Sequence, residues 1–264
     1  MTPKADKVIP VAEANRIWAL YGSLSPQELV LEDLAMAMGI FVVEAPLNSA
    51  SARLVRNGDH GLVRVSEDIQ NSGKRRFAIA HEIGHFVLHK KVTQLLACTD
   101  ADMLASYKSS PYEIEASIFA GALLMPEKLF QEKAAERTPQ TSVIKELADY
   151  FDTSLTATAL RYVETSHDYC AFVVSENGKI RWWRASESFG DHDFWLEHQS
   201  KLPRHSAAAT FFREDEEDEI AENPTEVDLK DWFGDLPGID SDYVIEQAIP
   251  LSEFGQVISL IWLP

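Results

Sequence analysis

Residues 77–89 read Phe-Ala-Ile-Ala-His-Glu-Ile-Gly-His-Phe-Val-Leu-His and contain the pattern His81-Glu82-x-x-His85. Two histidines four residues apart on a helix lie on one face, about 6 Å from each other. Both imidazoles can therefore bind one zinc ion at about 2 Å. Glu82 would lie beside that ion, where a carboxylate can accept a proton from water as a general base. The apolar flanks indicate a buried helix, and the pattern predicts a zinc-dependent peptidase.

A catalytic zinc usually has three protein ligands, so a third ligand is needed besides His81 and His85. His89 lies eight residues from His81, about 12 Å along the helix axis, which is too far for the same ion. Glu115 is the preferred candidate, because it shares an apolar face with residues 118, 119 and 122 of a second predicted helix. Glu113 points about 200° around that helix and stays open as the alternative.

Length and charge narrow the class of protein. The chain has 264 residues and a net charge of −18, with 42 acidic against 24 basic residues. Residues 167–264 carry most of the excess, with 21 Asp and Glu against 7 Lys and Arg. This acidity argues against direct nucleic-acid binding, which needs clustered cations. No apolar stretch is long enough for a membrane helix, and two separated cysteines fit free thiols, so we expect a cytoplasmic protein.

The periodic patterns predict an α+β fold. Helices are expected at 12–20, 26–38, 77–89, 112–125 and 126–137, and short strands at 40–44, 53–56 and 62–65. A helix pair at 141–150 and 154–164 has the shape of a helix-turn-helix. Beyond residue 168 the chain turns to strands, with Asn177-Gly178 as a hairpin turn and 214–222 as a charged loop. We predict domains at 1–138, 139–166 and 167–264.

The chain resembles the ImmA/IrrE family of bacterial and phage metallopeptidases. The resemblance rests on residues 75–89, on residues 113–126 (Glu-Ile-Glu-Ala-Ser-Ile-Phe-Ala-Gly-Ala-Leu-Leu-Met-Pro) and on the preceding stretch 33–46, and it extends over about 30–165. It implies a small zincin-like, gluzincin-type core with His81, His85 and Glu115 as zinc ligands and Glu82 as the base. Ser117 stands where the family often has Asn or Asp, and Gly121 where alanine is commoner.

The resemblance also implies a substrate, a helix-turn-helix transcriptional repressor whose cleavage relieves repression of stress, prophage or mobile-element genes. Two other functions compete with this one. The first is a DNA-binding regulator that reads DNA with residues 144–164, which hold one lysine and one arginine. The second is an interaction protein with a non-catalytic zinc site, although such a site gains nothing from Glu82. Tyr107, Tyr112 and His89 are candidates for stabilising the oxyanion.

Overall fold

A computed structural model describes residues 5–21, 25–47, 50–90, 96–98, 110–190, 195–214, 223–251 and 255–264, with the backbone alone at 21, 96–98 and 214. Its contacts divide the chain into two compact units. Unit 1 comprises Met1–Leu129 and Ala148–Ser154, and unit 2 comprises Phe130–Leu147 and Leu155–Pro264. The predicted domain boundaries at 138/139 and 166/167 differ from these units and stay predictions.

The described residues of unit 1 up to Leu124 form helices and one mixed sheet. The elements follow in the order α1 (Val8–Tyr21), α2 (Leu31–Ala37), β1 (Ile40–Ala45), β2 (Ala52–Asn57), β3 (His60–Ser66), α3 (Ser72–Leu88), β4 (Leu96–Cys98) and α4 (Pro111–Leu124). The strand order is β1-β3-β2-β4, with β1 parallel to β3 and the other pairs antiparallel. Alternate side chains of this sheet, such as Ile40 and Val63, are buried and α3 packs against β2 and β3.

Three helices connect the units along the chain. They are α5 (Glu127–Ala134), α6 (Thr141–Phe151) and α7 (Leu155–Thr165). The predicted helix pair is therefore present as α6 and α7, with Asp152 in a left-handed conformation between them. Residues 148–154 pack with unit 1, whereas the rest of the pair packs with unit 2. Its assignment as a helix-turn-helix stays a prediction.

Unit 2 is built around an antiparallel five-stranded sheet, in the order β6-β5-β9-β8-β7. The strands are β5 (Cys170–Glu176), β6 (Lys179–Ala185), β7 (Thr225–Asp228), β8 (Tyr243–Leu251) and β9 (Gln256–Trp262). Short helices α8 (Glu187–Gly190), α9 (Ala207–Glu214) and α10 (Leu229–Phe233) add to its core. Asn177 and Gly178 both have positive φ, 52° and 72°, as the hairpin prediction requires.

The fold therefore agrees with an α+β class at the level of helices and sheets. The predicted charged loop at 214–222 and most of the irregular stretch 92–110 lie outside the described residues. Within the described residues, no helix combines the length and apolar character needed to cross a membrane.

Candidate metal centre

The helix that carries the His-Glu-x-x-His pattern is fixed at both ends and along one face. The Asn71 side chain accepts a hydrogen bond from the Lys74 amide and caps the first turn of α3. The Arg76 guanidinium donates hydrogen bonds to the carbonyl oxygens of Leu29 and Pro26, at 3.0 and 2.7 Å. Along the helix, His81, Glu82 and His85 are buried, with exposed fractions of 2%, 0% and 1%. The predicted site residues therefore lie inside unit 1.

Gly84 allows α4 to lie against this part of α3. A Cβ atom at Gly84 would lie 3.0 Å from a ring carbon of Phe119 and 3.2 Å from the Cα and carbonyl oxygen of Ala116. These distances are shorter than ordinary van der Waals contact, so a side chain at 84 would force the helices apart. The close approach brings the first turns of α4 to the two histidines.

The third member of the site is Glu113, from the first turn of α4. Its carboxylate oxygens lie 3.1 Å from Nε2 of His81 and 3.4 Å from Nε2 of His85, and the two Nε2 atoms lie 3.0 Å apart. The ligands of a tetrahedral zinc with bonds of about 2.0–2.1 Å are separated by about 3.3 Å. The three side chains therefore have a spacing that suits one such ion, and among the described residues they form the group that could hold a metal.

Glu115, the predicted third ligand, lies outside this group of three, whereas Glu113, the alternative left open, lies within it. The Glu115 carboxylate lies 3.0 Å from Nε2 of His89 and accepts a hydrogen bond from the Asp6 amide at 2.8 Å. Apolar spacing could not separate the two carboxylates, because α4 is apolar nearly all round and packs against both α1 and α3. With two buried faces, the spacing of apolar residues does not indicate which one points to the histidines.

The electrostatics of Glu113 fit a ligand. Burial of its carboxyl raises its pKa, but hydrogen bonds and charge interactions with His81 and His85 outweigh burial, so the pKa lies well below the ordinary value. Glu113 is therefore ionised at neutral pH and offers a metal an anionic oxygen. Ser110 caps α4 by accepting a hydrogen bond from the Glu113 amide, which fixes the turn that carries this carboxylate.

A second layer of polar groups lies behind the two imidazoles. Ser117 Oγ lies 3.3 Å from Nδ1 of His81, and Nδ1 of His89 lies 3.0 Å from Nδ1 of His85. Ser117 had no predicted role. It follows Glu113 by four residues, and this spacing puts both side chains on one face of α4. His89 ends α3 as its C-cap residue, and burial, opposed by Glu115, lowers the pKa of its imidazole.

The remaining predicted residues are arranged as follows. Glu82 is fully buried, and its carboxylate is not one of the three clustered ligands. Tyr112 is 43% exposed and its ring contacts that of His89, with centroids 4.9 Å apart. Tyr107 lies outside the described residues. Of the three candidates for oxyanion stabilisation, Tyr112 is therefore the one that is both described and partly accessible.

A His-Glu-x-x-His helix completed by a carboxylate from another helix is the kind of site found in zinc-dependent metallopeptidases. Comparison with known proteins agrees. Residues 35–162 match the model of peptidase family M78, described as the IrrE N-terminal-like domain. Metallopeptidase ImmA of Bacillus subtilis (strain 168) is 28% identical over 95 residues, which are 35% of this chain and 52% of that protein. Residues 35–162 thus match a domain of the ImmA/IrrE family of metallopeptidases.

The chain matches only about half the length of the ImmA protein. A solved structure resembles it over a greater length. A transcriptional regulator of Mycobacterium tuberculosis shares the fold with a TM-score of 0.61 and 16% sequence identity, over 97% of this chain and 76% of that chain. Unit 2, which lies largely beyond the family match, is therefore part of a fold that another protein also has.

Proposed function

We propose that the protein is a zinc-dependent endopeptidase, with His81, His85 and Glu113 as ligands and Glu82 as general base. The observation that carries the proposal is the spacing of 3.0–3.4 Å among the two Nε2 atoms and the carboxylate oxygens of Glu113, which suits a tetrahedral ion. A similar protein bears the name metallopeptidase ImmA. Glu82 adds support, because it lies on α3 beside the two histidines and is not one of the three clustered ligands.

The mechanism assigns one task to each residue. The chemistry that zinc supplies when bound is Lewis acidity, which polarises a carbonyl oxygen and makes water easier to deprotonate. His81, His85 and Glu113 would hold the ion through two neutral nitrogens and one anionic oxygen. Glu82 takes the proton of the attacking water and passes it to the nitrogen of the leaving amine as the peptide bond breaks. Tyr112, whose ring lies 4.9 Å from that of His89, is the proposed hydrogen-bond donor to the developing negative charge.

The proposed substrate is a helix-turn-helix repressor, and this part of the proposal comes from the family resemblance. The charge of the chain is compatible with it, because residues 167–264 carry a net charge of −14, with 7 basic and 21 acidic residues. DNA-binding repressors are basic, so electrostatic attraction would accelerate their association with an acidic surface. We expect that association to weaken as salt is raised; binding that does not change with salt would contradict this step.

The test is a comparison of the wild type with Glu82→Gln on a purified helix-turn-helix repressor encoded beside the gene. We expect the wild type to cleave the repressor and Glu82→Gln to bind zinc equally well but to lose cleavage by at least about a hundredfold. Glu113→Gln should instead lose zinc. Equal cleavage by the wild type and Glu82→Gln would refute the assignment of the base. Binding of the repressor without cleavage would favour a non-catalytic regulator.

A role in reading DNA has less support. In a helix-turn-helix, the second helix must present several side chains to the major groove. In α7, only Glu164 is exposed and the other residues are buried or half-buried. An exposed acidic residue opposes the approach of phosphate. A gel-shift assay at low salt separates the two roles, because a DNA reader would retard a duplex in the absence of any repressor.

A further inference from the structure

Behind the proposed metal site runs a line of hydrogen bonds that ends near the beginning of α1. The Asp6 amide donates to Oε1 of Glu115 at 2.8 Å, and Oε2 of Glu115 lies 3.0 Å from Nε2 of His89. The other ring nitrogen of His89, Nδ1, lies 3.0 Å from Nδ1 of His85. The opposite side of the His85 ring, Nε2, faces Glu113 and His81. Four residues from α1, α3 and α4 are thus joined in one line.

The chemistry of these groups gives each hydrogen bond a direction. The carboxylate of Glu115 can only accept, so Nε2 of His89 carries the proton that points towards it. A neutral imidazole with a proton on Nε2 has a lone pair on Nδ1, and that lone pair faces His85. The hydrogen bond between the two Nδ1 atoms then requires His85 to carry its proton on Nδ1. The lone pair of His85 consequently lies on Nε2, the nitrogen that faces the proposed metal.

We propose that Glu115 and His89 are positioning residues that hold His85 in its metal-binding tautomer, and that the Asp6 segment holds Glu115 in place. This inference rests on the proposed metal site. Partners of this kind commonly orient metal-binding histidines, and their removal typically costs 10- to 100-fold in metal affinity. Here the carboxylate acts through a second imidazole. Glu115, which the sequence suggested as a ligand, thus acts one residue further from the ion.

The two ligand histidines are supported unequally. Nδ1 of His81 lies 3.3 Å from the neutral hydroxyl of Ser117, whereas the line behind His85 ends at a charged carboxylate. Hydrogen bonds to charged groups are about twice as strong as neutral ones. We therefore expect the loss of Glu115 to weaken metal binding more than the loss of Ser117. The exposed Glu67, which is far from this line in sequence, provides a control for removal of a carboxylate in unit 1.

The Asp6 segment is itself held by local structure. Oδ1 of Asp6 accepts hydrogen bonds from the amides of Val8 and Ile9, at 2.8 and 2.9 Å, and so caps α1. In turn, α1 packs on α4, where Nε1 of Trp18 donates to the carbonyl oxygen of Leu123 at 2.8 Å. The cap sets the position of the amide that reaches Glu115. Asp6→Ala should therefore weaken metal binding, though less than Glu115→Ala.

The experiment measures zinc affinity by competition with a chelator, together with the histidine tautomers of the apo protein by ¹⁵N NMR. We expect Glu115→Ala and His89→Phe to weaken zinc binding by about 10- to 100-fold. Glu115→Gln keeps an accepting oxygen but loses the charge, so it should weaken zinc binding less than Glu115→Ala does. In the apo protein, the proton of His85 should lie on Nδ1 in the wild type and should shift towards a mixture of tautomers in Glu115→Ala. Glu67→Ala should change neither measurement.

The outcomes separate this inference from the proposed function. Zinc affinities of Glu115→Ala and His89→Phe within twofold of the wild type, in variants that unfold like it, would overturn the role of this line. So would an unchanged His85 tautomer in Glu115→Ala. If either variant fails to fold, the tautomer of His85 in the wild type still decides, because a proton on Nε2 of His85 in the apo protein would overturn the proposal. None of these readings requires peptide cleavage, so an inactive protein with the expected affinities would refute only the proposed function.

Discussion

Replacement of Gly84 by alanine tests whether the close approach of α3 and α4 builds the site. The added Cβ would lie 3.0 Å from Phe119 and 3.2 Å from two backbone atoms of Ala116. The Phe119 ring can shift, but the Ala116 backbone moves only with α4. Restoring ordinary contact therefore requires the helices to separate by a few tenths of an ångström. Glu113 and Ser117 lie on the same stretch of α4 and would move with it.

The magnitude follows from two opposing effects. Alanine favours a helix over glycine by about 1 kcal/mol. Overpacking of a close contact costs about 1–3 kcal/mol. Gly121→Ala, in α4, is the matched control because a Cβ at Gly121 would meet no atom within 4 Å. It should gain the helix preference without the overpacking. We therefore expect Gly84→Ala to be less stable than Gly121→Ala by about 1–3 kcal/mol.

The assay is urea unfolding of both variants in a chelator, followed by a zinc titration. Stability then reports the helix contact alone, and zinc affinity reports its effect on the ligands. We expect Gly84→Ala to bind zinc more weakly than the wild type and Gly121→Ala to bind it equally well. If the two variants were equally stable and equally able to bind zinc, the argument that this contact sets the ligand spacing would be wrong.

Further predictions concern three other residues, Glu246, Cys170 and Arg76. The carboxylate of Glu246 accepts hydrogen bonds from Ala207, Ala208, Trp232 and Ser259. Glu246→Ala should therefore lower the free energy of unfolding by about 2–4 kcal/mol. Replacement of the exposed Glu226 by alanine should change it little, and similar losses in both variants would refute this. Burial raises the pKa of Glu246 in the folded protein. Its contribution to stability is therefore full below the pKa of the unfolded protein, about 4.3, and declines as pH rises through the pKa of the folded protein. Unfolding curves measured from acid to neutral pH should show this decline in the wild type and not in Glu246→Ala. Burial raises the pKa of the Cys170 thiol to about 12. In a Cys98→Ser background, a thiol reagent at pH 8 should therefore modify Cys170 only after unfolding. Rapid labelling of the native protein would contradict the burial of this thiol. Arg76→Ala leaves the carbonyl oxygens of Pro26 and Leu29 without their hydrogen-bond donor. It should lower the free energy of unfolding in urea by about 1–3 kcal/mol. A loss under about 0.5 kcal/mol would mean that water replaces the guanidinium as donor.

The sequence predicted best where a local pattern alone determines the structure. The histidine helix was expected at 77–89 and is found as Ser72–Leu88, because its apolar spacing and the metal motif agree. The hairpin at Asn177-Gly178 was equally predictable, since the turn needs two residues with positive φ. The start of α2 was placed too early, at 26 instead of Leu31, because residues 26–28 form a turn. Proline at residue 26 is compatible both with the first turn of a helix and with a turn before the helix.

Predictions that depend on packing between distant segments were less accurate. The choice of Glu115 over Glu113 required the angle at which α4 meets α3, and no local pattern contains that angle. The role of Ser117 depended on the same angle. The predicted domain boundaries follow changes in charge and composition, whereas the contacts divide the chain within α5 and α6. Periodicity identifies a buried face but not the element that covers it.

The separation of the ligands along the chain sets the order in which the site can form during synthesis. His81 leaves the ribosome 32 residues before Glu113, and the contact between Asp6 and Glu115 joins residues 109 apart. A nascent chain that ends before α4 has the imidazoles of His81 and His85 but lacks Glu113 and Glu115. Any ion bound by the two imidazoles would then have an incomplete set of the proposed ligands. Full metal loading must therefore wait until α4 has been translated and has packed onto α3.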